Sequence, residues 1–234
     1  MTQPPSLDGI RAILFDKDGT LFDFQATWGT WAHGFLHREA GEDPALLARL
    51  AEVLQFDLPT RRFRPLSPVI AGTGREVAEL IAPLLGRPPE TLETMIVQSS
   101  AEVPPSEAVP LAPLLARLRA SGLILGVATN DYESVAHRHL GTHAAAFHTI
   151  FGFDSGHGGK PAPGMLLAFA RTHALAPAQV LMVGDSRHDL AAGRAAGMAT
   201  LGVLTGVAVA ADLADLADYT RPDIGHLPAL LGLA

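Results

Sequence analysis

Five short apolar runs mark the chain: Ala12–Phe15, Leu123–Ala128, Ile150–Phe153, Val180–Val183 and Thr200–Leu204. They are continuous rather than alternating, the pattern of parallel strands covered on both faces. Helical periods lie between them. Leu111, Leu114, Leu115 and Leu118 share one face, closed by Gly122. A second helix is expected from near Asp131, a third over Pro163 to His173 with proline at its start, and a fourth from Arg187 to Gly197. Strands alternating with helices predict an α/β fold, a doubly wound, Rossmann-like parallel sheet with right-handed crossovers.

One stretch breaks the alternation. Between the first run and Pro104 the apolar positions recur at helical spacing only. Trp28, Trp31 and Phe35 share a face that ends at Gly41, and Asp43-Pro44 is a capping start for a helix carrying Leu46, Leu47, Leu50 and Leu54. Val77, Leu80, Ile81, Leu84 and Leu85 predict a third helix ended by Gly86, and Pro88-Pro89 opens a fourth. The expectation is an all-helical cap domain over residues 22–104, inserted into a core made of residues 1–21 and 105–234. The proline-rich segment Val103–Pro110 would be the return hinge, and Leu21–Phe24 the outgoing one.

Composition narrows the class. Hydrophobic residues make up 48% and charged residues 18%, enough for a packed interior. A net charge of −7 disfavours nucleic acid or an anionic membrane as partner. The absence of cysteine excludes disulfides and thiolate chemistry. Met1–Ile10 lacks the basic and apolar regions of a signal peptide, and the longest uncharged run, Ala195–Ala211, carries four glycines and reads as strand plus loop. A soluble, cytoplasmic protein, monomer or homodimer, is expected.

Candidate chemistry sits where strands end. Ile13–Leu21 reads Ile-Leu-Phe-Asp-Lys-Asp-Gly-Thr-Leu, delivering Asp16 and Asp18 before a turn-forming Gly19. Two positions apart, the carboxylates would share one face of an extended strand, with Lys17 opposite as a salt-bridge partner. Such crowding is costly unless a cation or an acid/base role accounts for it. Val180–Asp189 repeats the design, with Asp185 and Asp189 about one helical turn apart, an oxygen grouping that suits Mg²⁺. Thr129-Asn130 follows another strand and can hold a phosphoryl oxygen. Lys160, one of only two lysines, lies in the Gly-Gly-Lys-Pro loop before a helix.

These four segments, in this order, resemble the haloacid dehalogenase-like hydrolase superfamily, and within it the phosphoglycolate-phosphatase type with a helical cap. The resemblance implies that Asp16 is the nucleophile and that Asp18 is the acid/base, its main-chain carbonyl also binding Mg²⁺. It implies that Thr129, with the Asn130 backbone, holds a phosphoryl oxygen, and that Lys160 offsets charge. Asp185 would ligate Mg²⁺ with Asp189 as ligand or support, while Gly19 and Thr20 shape the loop. The expected activity is hydrolysis of a small phosphorylated metabolite, with 2-phosphoglycolate as the expected substrate, through an aspartyl-phosphate intermediate. A sugar-phosphate mutase of the β-phosphoglucomutase type and a non-enzymatic binding module remain alternatives. The former is weakened because the cap contains no lysine. Arg61, Arg62 and Arg64 are candidates for a substrate carboxylate, and His33 and His37 have metal-like spacing without an obvious third ligand.

Overall fold

The computed structural model describes residues 5–70 and 72–233, so that Met1–Pro4, part of the segment read as carrying no leader, lie outside the described residues. Six parallel strands form one sheet: β1 (Ala12–Phe15), β4 (Ile124–Ala128), β5 (Thr149–Phe151), β6 (Val180–Gly184), β7 (Ala199–Val203) and β8 (Tyr219–Arg221). Their order is β5-β4-β1-β6-β7-β8. Strand β1 lies at the centre, with Ala12 level with both Ile124 and Val180. The strand order therefore reverses at β1, and the crevice at its carboxyl end is where ligands bind in such sheets.

Both faces of the sheet are covered. Ile13, Phe15, Leu125, Val127, Leu181 and Val183 pack on one side with α5 (Leu111–Ala120) and α6 (Glu133–Leu140). Leu14, Met182 and Ala128 pack on the other with α7 (Gly164–Thr172) and α8 (Arg187–Ala196). Double coverage explains why the strands read as unbroken apolar runs. Strand β8 is the exception: its Tyr-Thr-Arg sequence is half-exposed at the sheet edge and carries no apolar run, so no strand was expected there. Two four-residue helices, α9 (Ala210–Leu213) and α10 (Leu227–Leu230), complete this part of the chain.

Between β1 and α5 lie α1 (Phe24–Ala40), α2 (Pro44–Val53), α3 (Gly74–Leu85) and α4 (Pro89–Ser100), with a separate apolar cluster that includes Phe35, Leu36, Leu50, Ile81 and Leu92. The caps form as the sequence implies. The Asp43 side chain accepts from the amides of Ala45 and Leu46, and Thr73 and Glu76 form a reciprocal capping box. The all-helical expectation needs one amendment. Strands β2 (Phe56–Asp57) and β3 (Arg62–Phe63) form a two-residue antiparallel ladder. A strand this short leaves no periodicity to read. It is held from outside: the Gln25 amide on α1 donates to the Phe63 carbonyl and accepts from the Phe63 amide, both at 2.9 Å. The two chain crossings run side by side, with Phe22 bridging Glu107 and the Asp23 amide donating to the Ser106 carbonyl at 2.8 Å. Among the described residues no helix is long and apolar enough to cross a membrane.

Candidate active site

Three strands deliver the site from their carboxyl ends. Asp16 follows β1, Thr129 follows β4, and Asp185 follows β6. Because β1 is hydrogen-bonded directly to β6, Asp16 and Asp185 meet although they are 169 positions apart along the chain, as read from their positions 16 and 185. Asp16, Asp185 and Asp189 each offer a carboxylate oxygen within 4.8 Å of the others, and all three are buried. Lys160 closes the cluster, its ammonium 2.6 Å from Asp16 Oδ1 and 2.6 Å from Asp189 Oδ1.

Charge in this cluster is under-compensated. Burial, then the neighbouring Asp189, push the Asp16 carboxyl from 3.8 up to about 7. Burial and the charges of Asp189 and Asp16 hold the Asp185 carboxyl well above the usual range. Burial opposes the charge on Lys160, but Asp16 and Asp189 outweigh it and keep the ammonium protonated. Asp185 has no ion pair among the described residues and takes a long 3.5 Å hydrogen bond from Thr20 Oγ1. Its surroundings leave it little freedom. A Cβ on Gly19 would lie 2.4 Å from the Asp185 carboxylate, and one on Gly206 would lie 1.6 Å from its Oδ2. Gly19 also has a φ of +81°, so glycine there serves both conformation and space. Three hard oxygen donors with one ammonium among them fit a divalent oxophilic cation such as Mg²⁺.

Asp189 serves two masters. Its Oδ1 faces Lys160, and its Oδ2 accepts from the Ser186 amide at 2.9 Å and the Ser186 hydroxyl at 2.6 Å, closing the capping box of α8. Asn130 holds the lysine loop in place: its side chain accepts from the Lys160 amide at 2.8 Å and donates to the Lys160 carbonyl at 2.9 Å. Thr129 is buried in the cavity wall, and its hydroxyl accepts from the Asp131 amide at 3.1 Å.

Asp18 departs from its expected place. Strand β1 stops at Phe15 and the backbone bends at Lys17, so the two-residue period no longer governs where side chains point. Asp16 faces the cluster, whereas Asp18 turns towards the inserted helices. Its Oδ1 accepts from Trp28 Nε1 at 2.8 Å and its Oδ2 lies 2.6 Å from Lys17 Nζ. Lys17 is therefore the ion-pair partner expected, but on the same side as Asp18 and fully buried. It also reaches Asp131 Oδ2 at 3.1 Å and His139 Nδ1 at 3.0 Å.

Asp16, Asp18, Thr129, Asn130, Lys160 and Asp189 all line one cavity of about 90 Å³ beneath α1, α3 and α4. Arg61, Arg62 and Arg64 do not line it; they are exposed, and Arg64 pairs with Glu52 at 3.1 Å. The His33 and His37 rings lie tilted against each other with centroids 4.4 Å apart, and no third ligand joins them among the described residues. Sequence reasoning missed Gly206 and Thr205, whose hydroxyl donates to the Gly19 carbonyl at 2.6 Å. Both follow the carboxyl end of β7, and that position was the available signal.

The profile of the haloacid dehalogenase-like hydrolases matches residues 10–197. The chain belongs to that family. Family relatives include the phosphoglycolate phosphatases of Escherichia coli K12, 34% identical over 128 residues, and of Neisseria meningitidis serogroup A, 40% identical over 123 residues. The alignments cover 51% and 50% of this chain and 49% and 51% of those proteins, so the chain spans about half the length of the curated relatives it matches. A family hydrolase from Deinococcus radiodurans R1, solved with bound phosphate and sodium, superposes with a TM-score of 0.67 at 25% identity, covering 97% of this chain and 100% of that one.

Proposed function

We propose that the family member described here is a Mg²⁺-dependent phosphomonoesterase that works through Asp16. The observation that carries this reading is the convergence of Asp16, Asp185 and Asp189 on Lys160 at the strand-order reversal. Bound Mg²⁺ would supply positive charge to the phosphoryl oxygens, with Asp16, Asp185 and the Asp18 carbonyl as its protein donors and Asp189 supporting them. Phosphoryl transfer asks mainly for positioning and charge stabilisation, and buried groups already fixed in place provide both.

An Asp16 oxygen attacks phosphorus as the bond to the alcohol oxygen breaks, and protonated Asp18 gives its proton to that oxygen. Asp18, now a carboxylate, takes a proton from water as the water attacks the aspartyl-phosphate, releasing inorganic phosphate and regenerating Asp16. Lys160 holds Asp16 Oδ1 and offsets charge on the transferred group. Thr129 and the Asn130 main-chain N–H would offer donors to a phosphoryl oxygen. The phosphate bound by the Deinococcus relative, and the names of the curated phosphatases, support the same class of substrate.

The test is phosphate release from a phosphomonoester panel, including 2-phosphoglycolate and p-nitrophenyl phosphate, with Mg²⁺ or with EDTA. Release that needs Mg²⁺ and disappears in Asp16→Asn is expected. Release that survives either change overturns the reading.

A further inference from the structure

We infer that the alcohol half of the substrate is neutral and largely hydrocarbon, an inference that rests on the phosphatase reading. The cavity has two unlike halves. Its floor is ionic, with Asp16 and Asp189 on Lys160 and with Asp18 and Asp131, which pair with Lys17. Its roof, which overhangs the phosphoryl site, is built from Phe24, Trp28, Trp31, Val77, Ile96 and Val97.

The polar groups of that roof are already engaged. Trp28 Nε1 donates to Asp18, and Trp31 Nε1 donates to Ser99 Oγ at 3.1 Å. The Ser100 hydroxyl donates to the Val97 carbonyl at 3.2 Å, the Thr73 hydroxyl to Glu76 at 3.0 Å, and the Tyr132 hydroxyl to Glu93. Lys160 is held between two carboxylates, and the sole other basic side chain lining the cavity, among the described residues, is exposed His188 at its rim. A second anion on the substrate would lose its water against aromatic and aliphatic side chains, and Asp18 and Asp131 would repel it. Hydrocarbon in the same place replaces nothing that needs a partner. The adjoining cleft, which shares Ile70, Gly72 and Thr73, is mixed: Leu66, 89% exposed, and Leu80, 40% exposed, stand on its walls with Glu76, Glu79 and Asp212, and its Arg187 is already paired with Asp215.

Isobutyl phosphate and 2-phosphoglycolate make a matched pair, since an isopropyl group and a carboxylate carry the same number of heavy atoms beyond the ester carbon. With the full chain and Mg²⁺, competing the two should give a kcat/KM for isobutyl phosphate on the order of tenfold higher, the effect of burying two methyl groups. Val97→Arg, at a half-buried roof position, should reverse the preference, and Ile70→Arg serves the same purpose if that variant does not fold. Equal or faster turnover of 2-phosphoglycolate by the parent chain overturns the inference, as does a preference that neither arginine variant moves. If no compound releases phosphate, the phosphatase reading fails separately. Calorimetric binding of the same pair with Mg²⁺ then decides this one: tighter isobutyl phosphate supports it and tighter 2-phosphoglycolate overturns it.

Discussion

Lys17→Met isolates one charge at the centre of the molecule. The lysine side chain is fully buried, and its three N–H donors have three partners: Asp18 Oδ2 at 2.6 Å, His139 Nδ1 at 3.0 Å and Asp131 Oδ2 at 3.1 Å. It also lies 5.4 Å from the centroid of the Trp28 ring. Burial opposes its charge, but Asp18 and Asp131 outweigh that and raise its pKa above the ordinary 10.5. Because Nδ1 of His139 accepts from Lys17, Nε2 carries the proton and donates to the Ser100 carbonyl at 2.9 Å on the end of α4. The same node thus touches the acid/base candidate and two of the inserted helices, α1 through Trp28 and α4 through Ser100.

Methionine keeps the unbranched apolar stem of the side chain and removes its charge. Asp131 Oδ2, whose partner among the described residues is Lys17 Nζ, is left buried without a counter-charge. Removing one partner of a buried ion pair costs about 3–5 kcal/mol. For a chain of this size each kcal/mol moves Tm by about 2–4 °C, so the transition should fall by roughly 6–20 °C. Lys17→Met/Asp131→Asn should recover part of the loss, because it removes the orphaned charge. In activity, Asp18 keeps only Trp28 to orient it. Turnover of an alkyl phosphate, whose leaving oxygen needs a proton, should fall further than turnover of p-nitrophenyl phosphate, whose leaving group does not. Differential scanning calorimetry and the ratio of the two kcat values measure these effects. A Tm within a degree or two of the parent, or equal losses on both substrates, refutes the account of Lys17 as the residue that positions Asp18.

Gly206→Ala would put a Cβ roughly 2 Å inside ordinary contact with Asp185 Oδ2. The displaced carboxylate should cost on the order of a hundredfold in kcat/KM and raise the Mg²⁺ concentration needed for half-maximal rate. The metal-free cluster should respond to pH in a fixed direction. Asp16 keeps its proton in the folded chain up to about 7 but loses it near 3.8 when unfolded, so its contribution declines as pH rises through that window. Mg²⁺ displaces that proton, so the metal-induced rise in Tm should be larger at about pH 8 than at about pH 5.5; a rise independent of pH would contradict this. Asn130→Ala frees both main-chain groups of Lys160 and should lower kcat through a loosened ammonium, with little change in Tm.

What could be read in advance followed from strand ends. Asp16, Thr129 and Asp185 were legible because each ends an apolar run, and parallel strands of one sheet bring such ends to one edge. Lys160 stood out by rarity, since its loop carries one of only two lysines. Lys17 was partly legible: an ion pair followed from its neighbours, but its direction did not, because extended periodicity lapses where β1 stops at Phe15. The β2–β3 ladder and β8 were invisible for a different reason, being two or three residues long and held by a neighbouring side chain or a single strand partner. Trp28, Trp31 and Val77 read as packing residues of the helical segment because they serve two purposes with one pattern: the helical face that builds the inserted cluster also overhangs Asp18. Charge drew attention to the arginines in and beside β3, whereas the cavity roof on that side is built from uncharged residues. Gly206 makes the same point at the sheet. The run that forms β7 ends as the others do, but it ends in Leu-Thr-Gly rather than in a carboxylate, and the glycine matters there for the space it leaves to Asp185.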